Sequence, residues 1–339
     1  MKALFAQLVL AAAVLGTSCE RIFEYEGDCD ALYYVEFSYK MNMEFAEAFS
    51  QQVESVDLYV FDAKTGAFIK NYAEAGEALK NENYRMAVDL QPGTYEFVAW
   101  CGLKDGSLFD LKRTAAVNSD LTCKLQYKVE GGLPYSDEEL GLLFHGKKID
   151  TLPDAAGEHV VTIDLVRDTN NINLSFSQIG DAGMAEGQFS VSMVDDNGSM
   201  NYDNTLQPDL AIDYRPWTER YFTTEYNAAA AAAEEDAEED AFNTYKAEIS
   251  TARLMADHSP KIVITDNETG NVIYSIPIVE WAKEMRSERY ASMDDQEYLD
   301  RQHDYDVMLY LKDDAKQGWI AVSIEINGWR KNDLGSPNI

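Results

Sequence analysis

The feature that most constrains this chain is a period of two in its apolar residues, repeated in short runs along most of its length. Between residues 121 and 129, apolar and polar residues alternate without a break. Such alternation places apolar side chains on one face of a β-strand and polar ones on the other. Runs before and after Gln91-Pro92-Gly93, at residues 84–90 and 95–100, predict a hairpin. The pattern indicates an all-β chain of antiparallel strands.

The strands fall into two clusters, separated by the polar stretch Arg167-Asp168-Thr169-Asn170. Short alternating strands with turn signals between them are typical of β-sandwiches, and 339 residues suffice for two domains. We therefore predict an N-terminal β-sandwich at residues 31–166 and a C-terminal one at 167–339. The run NAAAAAAEEDAEEDA at 227–241 predicts a helical insertion in the second domain, and residues 279–302 are also helical in character.

The N-terminus has the composition of a secretory signal peptide. Lys2 precedes an apolar run at residues 4–15, and the small residues Gly16-Thr17-Ser18 follow it. The run is shorter than the roughly 20 residues that a membrane-spanning helix needs. Because Cys19 comes next, residues 1–18 read as a bacterial lipoprotein signal peptide, although Gly16 stands where leucine is usual. The alternatives are an ordinary secreted protein and a cysteine that stands at this position by chance.

In the lipoprotein interpretation, the Cys19 thiol receives a diacylglycerol, cleavage precedes it, and the new amino terminus is acylated. Several acyl chains on one residue would hold the protein stably on a membrane. The acidic residues that follow make 19–30 a solvated tether. We expect a protein lipid-anchored to the cell outer membrane and facing the exterior.

The charge of the chain limits the classes of partner that it can bind. A formal net charge of −32 repels nucleic acid, so no nucleic-acid partner is expected. Three cysteines follow Cys19. Cys101 and Cys123 are expected to be small buried apolar residues, with a bridge between them left open, and the pairing of Cys29 cannot be read from the sequence. The aromatic residues Tyr95, Phe97 and Trp100 are expected in the core.

No motif points to catalysis. None of the four histidines, at positions 145, 159, 258 and 303, lies in a metal-binding or catalytic pattern. The run Asp195-Asp196-Asn197-Gly198 is similar to the opening of a calcium loop but lacks its spacing and terminal glutamate, so we predict a β-turn. We expect no enzyme, no cofactor, no metal and no small-molecule substrate.

Several stretches, taken in order, resemble the FimB-like fimbrial anchor family, the fimbrillin-A-associated anchor proteins that are minor subunits of type V fimbriae. The carrying residues are Cys19 with its leader, Cys29, Leu32-Tyr33-Tyr34-Val35-Glu36-Phe37, Val56-Asp57-Leu58-Tyr59-Val60-Phe61-Asp62, Leu90-Gln91-Pro92-Gly93-Thr94-Tyr95-Glu96-Phe97-Val98-Ala99-Trp100, Tyr298-Leu299-Asp300-Arg301-Gln302 and Ile326-Asn327-Gly328-Trp329. The chain departs from the family pattern at Cys101, where glycine is expected, and in the alanine-rich insertion.

The resemblance implies two tandem transthyretin-like antiparallel β-sandwich domains with a few short helices. It also implies an outer-membrane lipoprotein that anchors a fimbrium, with the fimbrial shaft subunit (fimbrillin) as its partner and no enzymatic activity. Fimbriae of this class assemble by strand exchange, in which a terminal strand of one subunit completes the sheet of its neighbour. An anchor keeps its N-terminal strand, because the segment before that strand carries the lipid.

A retained strand at Leu32, Tyr33, Tyr34, Val35, Glu36 and Phe37 would close the acceptor groove and end assembly. The candidate shaft contact is then the C-terminal segment, with Ile320, Val322, Ile324, Ile326 and Trp329. The alternative, favoured for residues 320–326, is a strand of the second domain's own sheet, which leaves residues 330–339 available. The alternative function is a surface lipoprotein adhesin, or a fimbrial tip or accessory subunit, that binds glycan or host protein.

Overall fold

A computed structural model describes residues 31–179, 184–224, 242–314 and 318–331. Cys19, Cys29, the acidic tether at 19–30, the alanine-rich run at 227–241 and the end of the C-terminal tail lie outside the described residues. Within the described part of the chain, no helix is long and apolar enough to cross a bilayer.

Short strands dominate the structure. The first half contains β1 (Ala31–Ser38), β2 (Ser55–Asp62), β3 (Phe68–Ala75), β4 (Met86–Val88), β5 (Gly93–Cys101), β6 (Phe109–Leu111), β7 (Thr122–Leu125), β8 (Lys128–Glu130), β9 (Leu133–Ser136), β10 (Phe144–Leu152), β11 (Gly157–Asp164) and β12 (Val166–Arg167). The second half contains β13 (Thr169–Ile179), β14 (Phe189–Asp195), β15 (Ser199–Asn201), β16 (Ile212–Tyr214), β17 (Thr218–Thr224), β18 (Phe242–Ala252), β19 (Lys261–Asp266), β20 (Val272–Pro277), β21 (Asp304–Asp314), β22 (Gly318–Ile326) and β23 (Trp329–Lys331).

The described part of the chain also contains three short α-helices: α1 (Phe49–Gln52), α2 (Ile278–Glu284) and α3 (Asp295–Arg301). The last two occupy the stretch whose helical character the sequence predicts. Asp294 caps α3 by accepting a hydrogen bond from the Glu297 backbone N–H, as an aspartate before a helix commonly does. The all-β prediction is confirmed.

The first sandwich packs a three-stranded sheet, in the order β11-β1-β4, against a five-stranded sheet, in the order β12-β10-β5-β2-β3. The hairpin predicted at residues 84–100 is wrong. β4 pairs with β1 in one sheet, and β5 pairs with β2 and β10 in the other. Apolar and polar residues alternate in both strands, and a turn joins them. The turn at Gln91-Pro92-Gly93, however, takes the chain from one sheet of the sandwich to the other.

The second sandwich packs two six-stranded sheets. One has the order β17-β18-β13-β21-β22-β23 and the other β20-β19-β14-β16-β9-β8. The hairpin predicted at residues 261–276 is formed by β19 and β20. Most ladders are antiparallel, but β1 with β11, β13 with β21, and β9 with β16 are parallel.

The five-stranded sheet contacts both hydrophobic cores, and its strand β2 is buried on both faces. Leu58 and Val60 of β2 point into the first core, whereas Tyr59 and Phe61 point into the second. Strands buried on both faces read as continuous apolar runs rather than as alternating ones. This explains the run Val56-Asp57-Leu58-Tyr59-Val60-Phe61, in which only Asp57 is charged.

The domain boundary at 166/167 stays a prediction. Strand pairing crosses it in both directions. β8 and β9 precede this boundary in sequence, yet they form the end of a sheet of the second sandwich through the pairing of β9 with β16. β15, from the second half, likewise pairs with β7 in a small sheet of order β15-β7-β6.

Both described cysteines are buried. Cys101 lies in the first core and Cys123 in the second, and both thiols are free. The bridge that the sequence left open between them is therefore not formed. Phe97 and Trp100 are also fully buried, as expected for core aromatics, whereas Tyr95 is only partly buried against the first core.

Candidate functional site

β1 contains the residues predicted to form the retained N-terminal strand, and it is paired on both edges. It runs parallel to β11 in a continuous register from Ala31 opposite Gly157 to Ser38 opposite Asp164. On its other side, residues 33–35 pair with β4. An interior strand of this kind has few backbone groups left for another chain.

The side chains of β1 alternate between core and solvent. Tyr33, Val35 and Phe37 are buried, with Val35 0% exposed, whereas Leu32 is 48% exposed. Phe37 stacks on Phe49 of α1, with ring centroids 5.6 Å apart. The strand therefore fills an apolar slot as well as a hydrogen-bonding position.

Glu47 fixes the end of β1. Its carboxylate accepts hydrogen bonds from the Ser38 hydroxyl at 2.8 Å, the Tyr39 N–H at 2.8 Å and the Phe49 N–H at 3.0 Å. Burial acts to raise the pKa of the Glu47 carboxyl, but these hydrogen bonds outweigh burial and the pKa is lowered. The end of the strand is thereby tied to α1.

The loop after β1 reaches the second sandwich. Arg301 of α3 donates hydrogen bonds from Nη1 to the Lys40 carbonyl at 2.9 Å and to the Asn42 carbonyl at 3.4 Å. Its guanidinium carbon lies 4.5 Å from the centroid of the Phe45 ring. Arg301 thus links the N-terminal strand to the half of the molecule that contains the C-terminal strands. The sequence resemblance includes Arg301, but nothing in its spacing reveals this role.

The C-terminal strands lie in the other sandwich. β22 pairs with β21 from Gly318 to Ile326, and β23 returns beside it with Trp329 opposite Ile326. Ile324 and Ile326 are buried in the second core. Ile320 and Val322 lie within β22, with Ile320 opposite Lys312. Residues 320–326 therefore belong to a sheet of this chain, which is the alternative that the sequence favoured.

β23 forms the edge of its six-stranded sheet. Among the described residues, it pairs with β22 alone, so one of its edges has no neighbouring strand. The structure does not bring the predicted site residues together, since β1 and β22 lie in different sandwiches.

Comparison with known proteins adds the family. The family model described as "Fimbrillin-A associated anchor proteins Mfa1 and Mfa2" matches residues 25–334. The chain belongs to this family of fimbrial anchor proteins. Membership confirms the resemblance found in the sequence, and it indicates a structural protein of the cell envelope.

Solved structures of similar proteins share the fold of this chain. A protein from Bacteroides thetaiotaomicron, described as a candidate polysaccharide-binding protein, is 30% identical; the match has a TM-score of 0.72 and covers 89% of this chain and 98% of that chain. A candidate adhesin from the same organism is 28% identical, with a TM-score of 0.75 and coverage of 88% and 97%. The fimbrial anchor protein Mfa2 from Porphyromonas gingivalis shares the fold, at 17% identity, a TM-score of 0.64 and coverage of 89% and 99%. A search of curated proteins found no match.

Proposed function

We propose that this chain is an outer-membrane lipoprotein that anchors a fimbrium to the bacterial surface and ends its assembly. The observation that carries the proposal is the position of β1, which is paired on both edges and buries Tyr33, Val35 and Phe37 in its own sandwich. A subunit whose groove is already filled by its own strand cannot accept a strand from another subunit there, so a filament that reaches it stops growing.

The lipid would supply the other half of the function. Cys19 lies 12 positions before the start of β1 at Ala31. Acyl chains on Cys19 would leave a short acidic segment between the membrane and the first strand. Retaining β1 and retaining the lipid are then the same event, because both lie on one uncleaved N-terminal segment.

The C-terminal end would join the shaft by strand exchange. β23 offers an edge with no strand beside it among the described residues, and an edge strand invites pairing with another chain. Beyond β23, residues 332–339 could extend to a neighbouring subunit. Fimbrillin is the partner that the family description points to.

Replacing Cys19 tests the proposal. In the Cys19→Ala protein we expect loss from the outer-membrane fraction and release of fimbriae into the medium, because no acyl chain would remain to hold the chain on the bilayer. Cell fractionation, counts of sheared fimbriae and mass spectrometry of the mature N-terminus are the measurements.

Cys29→Ala is the matched control, since Cys29 lies on the same segment but not at the signal-peptide junction. It should leave fractionation and fimbriae unchanged. Membrane retention of Cys19→Ala at the wild-type level, or a mature N-terminus that begins after β1, would refute the anchor mechanism.

A second function, adhesion, is favoured by one observation. The 30% identical relative is described as a candidate polysaccharide-binding protein. Copurification of this chain with a soluble glycan, and not with sheared fimbriae, would favour adhesion over anchoring.

A further inference from the structure

Three side chains capable of binding a metal meet at the end of β14. Asp195 is its last residue, and Asp196 follows. His258 comes from the turn after β18, where its backbone N–H donates to the Met255 carbonyl at 3.1 Å. One ligand atom from each of the three lies within 4.8 Å of the others. In sequence, His258 lies 63 residues after Asp195.

The histidine faces both carboxylates with the same nitrogen. His258 Nδ1 lies 2.8 Å from Asp195 Oδ1 and 3.4 Å from Asp196 Oδ1. Tetrahedral ligands bound at the usual zinc distances lie roughly 3.3 Å apart. The longer contact already matches that separation, and the shorter one needs to open by only about 0.5 Å to admit an ion.

Asp195 gives an independent indication of a ligand. The residue is only 7% exposed, and its Oδ2 atom has no hydrogen-bond partner in the described part of the chain. A buried carboxylate oxygen without a partner costs free energy, and a bound cation would offset that cost.

Asn197 fixes the geometry of the three residues. It is fully buried, and its side-chain nitrogen donates to the Ala252 carbonyl at 3.2 Å and the Arg253 carbonyl at 3.0 Å. The Tyr214 hydroxyl donates to Asn197 Oδ1 at 2.6 Å. The turn that carries both aspartates is thus attached to the segment that leads into His258, so the three side chains are held in place without a metal.

The open side of the cluster faces a cavity of about 540 Å³. Asp196 and His258 line it, together with the carboxylates Asp203 and Asp257 and with Arg253, whose guanidinium is paired with Asp300. The cavity gives an ion a path from solvent and leaves room for water at the remaining coordination positions. The carboxylates add negative charge that attracts a cation.

We propose that Asp195, Asp196 and His258 bind one divalent transition-metal ion, with Zn²⁺ as the best match. An imidazole nitrogen with two carboxylates suits Zn²⁺, whereas Ca²⁺ and Mg²⁺ prefer oxygen ligands alone. The ion would join the end of β14 to the turn after β18. The proposal is independent of the lipid anchor and of strand exchange.

Calorimetric titration tests the site. The full mature chain is extracted in detergent, its thiols are blocked with iodoacetamide, metals are removed with a chelator, and ZnCl₂ is added. We expect one Zn²⁺ per chain, and binding at least about 10-fold weaker in both His258→Ala and Asp196→Asn. Millimolar Ca²⁺ should not displace the Zn²⁺.

His159→Ala is the matched control, because His159 lies on β11, away from the cluster, where its ring nitrogen lies 2.7 Å from the Ala155 carbonyl oxygen. It should bind Zn²⁺ as the wild type does. The Asp196 side chain is 56% exposed, so Asp196→Asn decides the matter if circular dichroism shows that His258→Ala is unfolded. An unaltered affinity in the variants, no stoichiometric Zn²⁺ in the wild type, or displacement by Ca²⁺ would overturn the proposal.

Discussion

At the scale of single residues, two of the four histidines are buried near the junction of the two sandwiches. His303 Nε2 lies 3.4 Å from the Met41 carbonyl, and among the described residues Nδ1 has no partner. His145 Nε2 lies 2.9 Å from the Tyr202 carbonyl. Burial lowers the pKa of His303 to about 3 and that of His145 to about 4, so both stay neutral in the folded chain at mildly acidic pH.

Because of these histidines, the unfolding free energy of the chain should decrease as the pH falls. Below pH 6.5 an unfolded histidine binds a proton that the folded one excludes, so each removes at most about 1.4 kcal/mol of unfolding free energy per pH unit. This loss begins as the pH falls below 6.5 and ends near the folded pKa. Between pH 6.5 and 5, the unfolding free energy measured with urea should therefore fall less steeply in His303→Gln than in the wild type.

In His145→Gln, which removes the other buried histidine, the unfolding free energy should also fall less steeply than in the wild type, because burial lowers the pKa of His145 to about 4. Asp168 acts with the opposite sign, because burial raises the pKa of its carboxyl to about 7 and protonation then favours the folded state. Its contribution is common to all three proteins and cancels in the comparison. An identical slope in His303→Gln and the wild type would contradict the assignment.

The proposed metal-binding cluster departs from the expectation drawn from the sequence, which was a β-turn at residues 195–198, no metal, and no metal-binding pattern around His258. The run Asp195-Asp196-Asn197-Gly198 starts at the last residue of β14, and its other three residues link β14 to β15. The approach of His258 depends on the hydrogen bonds of Asn197 to residues 252 and 253, which no spacing rule encodes. A ligand that arrives from a distant turn leaves no local motif.

At the scale of elements, β1 was predictable and its neighbours were not. The family resemblance marks residues 32–37 as a strand, and the structure buries every second side chain of it, Tyr33, Val35 and Phe37. Alternation does not specify which strand lies alongside. The parallel partner β11 lies far downstream, and the error at residues 84–100 has the same cause, since two alternating runs beside a turn need not pair.

The inward face of β1 should carry most of its contribution to stability. Phe37→Ala is expected to cost about 3–5 kcal/mol of unfolding free energy, because it removes a buried ring that stacks on Phe49. Leu32→Ala, on the exposed face, should change it by no more than about 0.5 kcal/mol. Equal losses for the two variants in urea unfolding would show that β1 is not seated in this register.

At the scale of the whole molecule, the five-stranded sheet lies between the two hydrophobic cores and packs against both. The five-stranded sheet contributes Leu58 and Val60 to one core and Tyr59 and Phe61 to the other. The sequence indicated two strand clusters, and the structure contains two hydrophobic cores. The sequence could not indicate that β8 and β9 join a sheet beyond the expected boundary. β9 pairs with β16 through backbone hydrogen bonds, which side-chain patterns do not report.

The C-terminal end should hold the shaft while the N-terminal end holds the membrane. Removal of residues 330–339 is expected to release fimbriae but leave the chain membrane-bound, since it takes away part of the edge strand β23 and the tail beyond it. Fimbriae retained on cells, counted by electron microscopy, are the measurement. A deletion of equal length within the alanine-rich run 227–241 is the control and should retain fimbriae. Unchanged retention without residues 330–339 would rule out this end as the shaft contact.

The pairing of β1 has a mechanical consequence. For a chain held by lipid ahead of Ala31, drag on the filament in flowing liquid places the first strand under tension. A pull along its axis loads all the hydrogen bonds to β11 together, in shear, whereas a pull across the axis would peel them apart one after another. In the proposed function, the continuous register from Ala31 to Ser38 would therefore let β1 bear this load as well as fill the groove.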